Sequence, residues 1–476
     1  MLDGTPRIRY NRRKSVQVTT YYAERRSAMK RKLKKRELVF VASMLFGMFF
    51  GAGNLIFPVH LGQMAGRNLW LAVLGFIITG VGLPLLGVTA LGKSRCGGLA
   101  PLSCRVGKPY GIFFTCALYL TIGPLFAIPR CATVPYTVSV ERLLPENLLG
   151  VALPVFSLLF FAAVLLFSLR PQKILDSVGK LLNPLFLLFL FLLMGAALFF
   201  PMTGVSQVEP VPEYEQKAFF SGFLEGYNTM DALASLAFGI IVVNVIKKLG
   251  ITEPDDIAAN TVKAGFFACL AMALIYVMVT VAGAQSRGVY PLSENGGIAL
   301  SQIADHYFGA VGTVILILTV TFACLKTAVG LVTSCSETFT ALFPRSPGYR
   351  FWAVTFSVSS FLVANIGLTA IINYAVPVLM FLYPLAITLI LLALFSKYFG
   401  HDRAVYASVT AFTLVAALFD FVKALPAEAV SFLHMNALPE LGSRVLPFFD
   451  LGMGWVCPAL LGLILGLVLH ARKKAA

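Results

Sequence analysis

Two apolar stretches of the chain carry residues able to bind a polar solute inside a membrane. In the first, Gly47-Met48-Phe49-Phe50-Gly51-Ala52-Gly53-Asn54-Leu55-Ile56-Phe57-Pro58, glycines, an asparagine and a proline interrupt a run of large apolar side chains. Glycine weakens a helix by about 1 kcal/mol and proline by roughly 3, so this segment should not stay helical throughout. Broken backbone in a membrane survives only where it lines a cavity or is buried in protein. Gly47 and Gly51 also fit a GxxxG packing face, but Asn54 and Pro58 weigh against that reading.

The second stretch, Leu224-Glu225-Gly226-Tyr227-Asn228-Thr229-Met230-Asp231, sets two acids, an amide and a hydroxyl deep in another apolar run. Intramembrane ionisable residues are costly and default to a functional role. The alternative makes them the outer end of a span that starts near Leu233. Two basic residues, Arg130 and Lys326, also fall inside apolar spans and balance Glu225 and Asp231. Arg130 either pairs with Glu225 or Asp231 or faces an outer vestibule; pairing is favoured because buried charges are normally paired.

The elements that hold these residues are membrane helices. Of 476 residues 58% are hydrophobic and 13% charged, with a mean hydropathy of +0.83, against roughly 25% charged in soluble domains. A bilayer core of about 30 Å takes roughly 20 apolar residues per helix. Such runs lie at 38–60, 68–92, 111–137, 153–170, 181–201, 219–246, 260–285, 308–340, 351–371, 373–396, 404–424 and 455–470, twelve helices in an all-α polytopic chain. Interrupted spans one and six then hold the same place in two five-helix halves, 37–201 and 219–396, followed by two further helices at 404–470. Paired interruptions in corresponding positions point to a transporter site at the midplane.

Basic residues orient the chain. With the N-terminus inside, 30 lysines and arginines lie on the cytoplasmic side and 6 outside, which sets both termini in the cytoplasm. The +16 formal charge therefore sits in loops and tails, and the single basic face that nucleic-acid binding needs is missing. Residues 1–36 carry a net +11 without apolar periodicity and should be disordered, in contact with anionic lipid. Met29 would serve equally well as the natural start. Trp70, Trp352 and Trp455 each begin a span, where indole rings suit the headgroup level. The eight cysteines are expected to be reduced and structural.

Gly87-Val88-Thr89-Ala90-Leu91-Gly92-Lys93-Ser94 matches the phosphate-binding pattern G-x-x-x-x-G-K-S. A phosphate loop follows a strand and opens a helix, whereas this one ends a membrane helix, so nucleotide binding is set aside. The five histidines are scattered, and the sequence shows no enzyme motif and calls for no cofactor.

FFGAGNLIFP and FLEGYNTMDALASLAFG resemble the signature segments of the branched-chain amino acid:cation symporter family, the BrnQ type, over a similarity running from Leu38 to the end. That family is similar in architecture to the leucine-transporter fold, so the resemblance implies uptake of leucine, isoleucine and valine, with methionine left open, by alternating access in a bacterial inner membrane. It further implies that main-chain groups of Phe49, Phe50, Gly51 and Gly53 take the substrate carboxylate, facing Gly226, Tyr227 and Asn228. Gly47, Asn54, Thr229, Ala323, Lys326 and Thr327 fall at ion-binding or ion-replacing positions, with sodium or a proton as the coupling ion. Thr327 matches a sodium-ligating hydroxyl, but Lys326 stands where the family pattern has a threonine, which opens a sodium-independent alternative with the ammonium replacing the ion.

A channel is the alternative of a different class, since pores also use broken helices; a membrane-embedded acid-pair enzyme ranks last for want of a nucleophile. The topology is testable by reporter fusions. A reporter after Ser206, between spans five and six, should be periplasmic, and one after Lys248, between spans six and seven, cytoplasmic; both on one side would remove the two-halves assignment.

Overall fold

The computed structural model describes residues 33–51, 53–141, 145–169 and 187–475. The tail up to residue 32 and the first residues of the fifth expected span, 181–186, lie outside them. Among the described residues there are helices and turns and no strand. The first expected span is two helices, α1 (Lys35–Phe49) and α2 (Gly53–Ala65), parted by extended backbone at Phe50 and a bend at Gly51. A turn through Gly66, whose φ is +48°, leads to α3 (69–94). Then come α4 (108–140), α5 (Glu146–Leu169) and α6 (Leu187–Phe199).

The sixth span is also broken. α7 (Ala218–Glu225) and α8 (Asp231–Lys248) meet at 45° across a tight turn, Gly226–Thr229. α9 (Pro254–Ser286), α10 (Gly296–Leu342), α11 (Tyr349–Ala364), α12 (Leu368–Phe395), α13 (Arg403–Ala424) and α14 (Val456–Ala475) complete the chain. Among the described residues eight helices are long and apolar enough to cross a bilayer, nine with the bent pair counted as one.

Three boundaries differ from the sequence reading. α10 starts at Gly296 instead of 308, because a turn at Gly309 (φ +54°) joins a preceding helix to the span. The ninth span ends at Ala364, since Gly367 (φ +88°) makes the turn into α12. Short helices at Ala427–Phe432 and Ala437–Val445 fill the connection from α13 to α14.

Both broken spans pack into one group with α3 and α9, while α4, α5, α10 and α11 pack with one another. α12 joins α3 to α13, and α13 pairs with α14. At the far end of that pair, Asp402 caps α13 through the Ala404 N–H at 2.9 Å and meets His470 Nδ1 at 2.7 Å, a hydrogen bond that holds its carboxyl below the usual range. The outward faces are apolar: Leu159, Val311 and Ile464 are more than 60% exposed, as lipid contact requires. All eight cysteines are free. Trp70 is exposed as expected, but Trp455 is buried inside the protein instead of lying at the headgroup level. The G-x-x-x-x-G-K-S stretch lies in α3, where Gly87 abuts Ser235 and Gly92 abuts Ile257, so it is a helix-packing face.

Close backbone approach fixes the broken spans. A Cβ on Gly62 (α2) would stand 2.0 Å from the Thr280 carbonyl oxygen of α9, and one on Gly283 would stand 2.1 Å from that of Val59. Gly222 (α7) and Gly75 (α3) form the same reciprocal contact at 2.0 and 2.1 Å. Small residues are how membrane helices approach this closely. By contrast a Cβ on Gly47 meets nothing within 4 Å, and one on Gly51 meets only Asn54 and Thr327 at 3.6–3.9 Å, so the two make no close backbone contact of the GxxxG kind. Gly222→Val should cost at least about 1–3 kcal/mol by overpacking, seen as a lower melting temperature of detergent-purified protein, whereas Gly47→Val should melt close to the unaltered chain.

Candidate functional site

The two breaks face each other. At the first, the Asn54 side-chain oxygen accepts the Gly51 N–H at 2.9 Å, while the Asn54 N–H reaches the Gly51 carbonyl at 3.2 Å, which satisfies backbone that the interruption would leave bare. The amide nitrogen of the same side chain donates to Asp231 Oδ2 at 2.5 Å and to the Tyr276 hydroxyl. Asp231 is the first residue of α8, where the positive end of the helix dipole favours a carboxylate. Its own N–H bonds the Thr229 hydroxyl at 3.3 Å, and Tyr276 approaches the same carboxylate oxygen at 3.5 Å. Met230, between them, takes the left-handed conformation at φ +60°, a strained state for a residue with a side chain.

Arg130 closes the other side. Its guanidinium donates to the Asn228 carbonyl at 2.8 Å and lies over the Phe57 ring at 5.1 Å. The ion pair expected with Glu225 or Asp231 is therefore not made directly. The carbonyl freed by the turn takes the guanidinium, Asp231 is held by Asn54, and Glu225 accepts from Asn228 Nδ2 at 3.1 Å.

A cavity of about 70 Å³ lies between the breaks. Gly51, Gly53, Asn54 and Thr229 supply its polar edge, Arg130 and Asp231 are its charged residues, and Phe49, Ile122, Phe238 and Leu331 its apolar wall. Of the main-chain groups expected to meet a carboxylate, the Phe50 N–H is used by the Phe46 carbonyl at 2.8 Å and the Gly51 N–H by Asn54; Gly53 opens α2.

Other expected residues line two larger spaces. Glu225, Tyr227 and Asn228 line a vestibule of about 620 Å³ on the side of the loop that precedes α7. Gly226 has no free space at all, because its Cβ position falls 1.9 Å from Thr79 Oγ1. Gly47, Phe50, Ala323 and Lys326 line a groove of about 820 Å³ between α1, α9 and α10. Lys326 is exposed there and forms no ion pair among the described residues. Thr327, with its hydroxyl bonded to the Ala323 carbonyl at 3.1 Å, lines both groove and cavity. Sequence reading missed Tyr276, whose hydroxyl within the seventh apolar span was the available signal, and missed Phe57 and Phe238, which nothing distinguishes from ordinary apolar residues.

The sequence model of the family described as branched-chain amino acid transport protein matches residues 34–473. A branched-chain amino acid permease BrnQ of Lactobacillus delbrueckii subsp. lactis is 53% identical over 431 residues, 90% of this chain and 96% of that protein. Among solved structures, Mhp1, a nucleobase-cation-symport-1 family transporter in a closed conformation, superposes with a TM-score of 0.60 at 15% identity, covering 92% of this chain and 93% of that one. MhsT in complex with L-phenylalanine superposes with a TM-score of 0.55 at 16% identity, covering 91% and 99%. The fold is thus that of leucine-transporter-like proteins.

Asn54→Leu would remove the bonds to Gly51 and Asp231 at once, with about 1–3 kcal/mol lost for each buried group left unpaired. The expected result is faster amide hydrogen exchange at residues 49–55 and 228–232, with exchange in α9 unchanged outside the turn around Tyr276.

Proposed function

Since the chain belongs to the branched-chain amino acid transport protein family, we propose that it takes up leucine, isoleucine and valine, and also methionine, by alternating access, and that the cavity between the breaks is the substrate site. The observation that carries this reading is the pairing of one cation and one anion, Arg130 and Asp231, with an apolar wall in a single small space. A zwitterion with a short apolar side chain matches it. Arg130 keeps guanidinium donors beyond the one given to Asn228, and a carboxylate suits them. The N-terminus of α2 at Gly53 favours the same group, and the substrate ammonium then turns toward Asp231. One methylene in such a pocket is worth only about 1–3 kcal/mol, which fits a shared preference for several aliphatic side chains.

Two five-helix halves, 37–201 and 219–396, would supply the rocking units around this fixed site, with 404–470 outside them and both termini cytoplasmic. A coupling cation, sodium or proton, would be held by oxygen groups of Asn54, Thr229 and Thr327 at the edge of the cavity. A second reading, sodium-independent transport, is favoured by Lys326, one residue from Thr327 and lining the groove against α1 together with Ala323. Its ammonium would enter the region between α1 and α10 when the groove narrows and take carbonyls that otherwise meet the ion.

Radiolabelled leucine uptake into proteoliposomes, with sodium and proton gradients imposed separately, tests both. Accumulation above equilibrium is expected, competed by isoleucine, valine and methionine, and lost in Asn54→Leu; equilibration alone would mean a channel. Weak sodium dependence that becomes strong in Lys326→Thr supports the second reading, and strict sodium dependence identical in both proteins removes it.

A further inference from the structure

The vestibule of about 620 Å³ ends at a group that the substrate site does not use. Asp420, on α13, is wholly buried, and neither carboxylate oxygen has a hydrogen-bond partner among the described residues. The Tyr227 hydroxyl and the Trp455 indole N–H, which face each other, lie in its neighbourhood without bonding it. Gly454 leaves the space, since a Cβ there would stand 3.4 Å from Asp420 Oδ1.

We propose that Asp420 is a proton-binding site at the floor of this vestibule, which it lines together with Tyr227, so that its occupancy controls closure over the broken sixth span. The surrounding charges leave it no fixed counter-ion. Lys423, one turn further along α13, is the nearest cation; its ammonium is held by the Phe449 carbonyl at 2.8 Å, the Phe449 ring at 4.6 Å and Asp450 at 3.8 Å. Lys217 reaches the Asp450 carbonyl at 3.4 Å. Glu225 is bound to Asn228, and Glu213 lies among the other residues that line the vestibule. On the remaining side Tyr383 of α12 stacks on Tyr227 with ring centroids 3.9 Å apart, and its hydroxyl is unpartnered as well. No group of three or more acidic, histidine or cysteine side chains able to hold a metal occurs among the described residues, and a lone carboxylate without a counter-ion is a group that a proton neutralises.

The chemistry is an acid–base exchange with vestibule water. A hydronium ion gives its proton to a carboxylate oxygen of Asp420, and the carboxylic acid O–H then donates to the Tyr227 hydroxyl oxygen. On release the proton returns to vestibule water, and the carboxylate is left without a partner. A carboxylate buried without a partner is costly, so the ionised form opposes closure of the vestibule and the protonated form permits it. Tyr227 carries the effect because it belongs to the same four-residue turn, Gly226–Thr229, whose last residue lines the cavity between the breaks.

This inference rests on the transport reading only for its consequence, so the test begins without substrate. In pH-difference infrared spectra of the purified, membrane-reconstituted protein, a protonated-carboxyl C=O band should grow on acidification, vanish in Asp420→Asn and move without vanishing in Asp420→Glu. Leucine exchange at equal pH on both sides should quicken severalfold as pH falls, and the slope should flatten in Asp420→Asn. No such band in the unaltered protein, the same band in Asp420→Asn, or removal of the band by sodium at constant pH would each overturn the proposal. A band that behaves as described in a protein that does not exchange leucine would sustain the proton site and reject the substrate instead.

Discussion

The hydrogen bond from Asn54 to Asp231 is the joint on which the rest of the molecule is organised. Each broken span exposes backbone groups that an apolar layer cannot satisfy, and each break supplies what the other lacks. Asn54 caps its own interruption with its oxygen and reaches the opposite interruption with its nitrogen. Asp231 then sits where a helix N-terminus, Asn54 and Tyr276 all favour its charge. Arg130 completes the arrangement by taking the carbonyl that the turn at Gly226–Thr229 sets free. A polar centre is tolerable in this membrane protein because its members are bound to one another.

The same turn divides two spaces. Tyr227 and Asn228 face the vestibule, and Thr229 faces the cavity, so a four-residue turn separates the two spaces. On the opposite side Thr327 alone among the described residues lines both cavity and groove. A site with one thin wall toward each large space suits a protein that exposes the site to one side at a time.

The breaks themselves were legible, because Gly51, Gly53, Asn54, Pro58 and Glu225 contradict the long apolar runs that contain them. The direction of each side chain was not. Periodicity assumes a regular helix, and within the tight turn Gly226–Thr229 Tyr227 and Asn228 line the vestibule instead of the cavity they were expected to line. Arg130 was placed in the right region but given the wrong partner, since an unpaired carbonyl has no signature in sequence and a carboxylate has. Trp455 shows the same limit: its position at the head of a span suggests the lipid surface, yet its side chain is buried in the protein, facing Tyr227. Resemblance to a family supplied the fold and the substrate class, which composition and spacing alone could only narrow to a transporter.

The reciprocal glycine contacts are unequally shared. α2 is locked to α9 and α7 to α3 at distances that admit no side chain, and α8 meets α3 where Gly87 fits against Ser235. α1 has no such lock: Gly47 has nothing within 4 Å of its Cβ position, and the helix borders the groove of about 820 Å³. Of the four half-helices, then, α1 is held by side chains instead: it packs along α9 through Val41, Ala42 and Leu45, and the Leu33 N–H donates to Asn260 of α9 at 3.3 Å. Side-chain contacts repack more readily than interlocked backbones, so Met48 and Phe49, where α1 borders the cavity between the breaks, sit on the half-helix that a substitution shifts most easily.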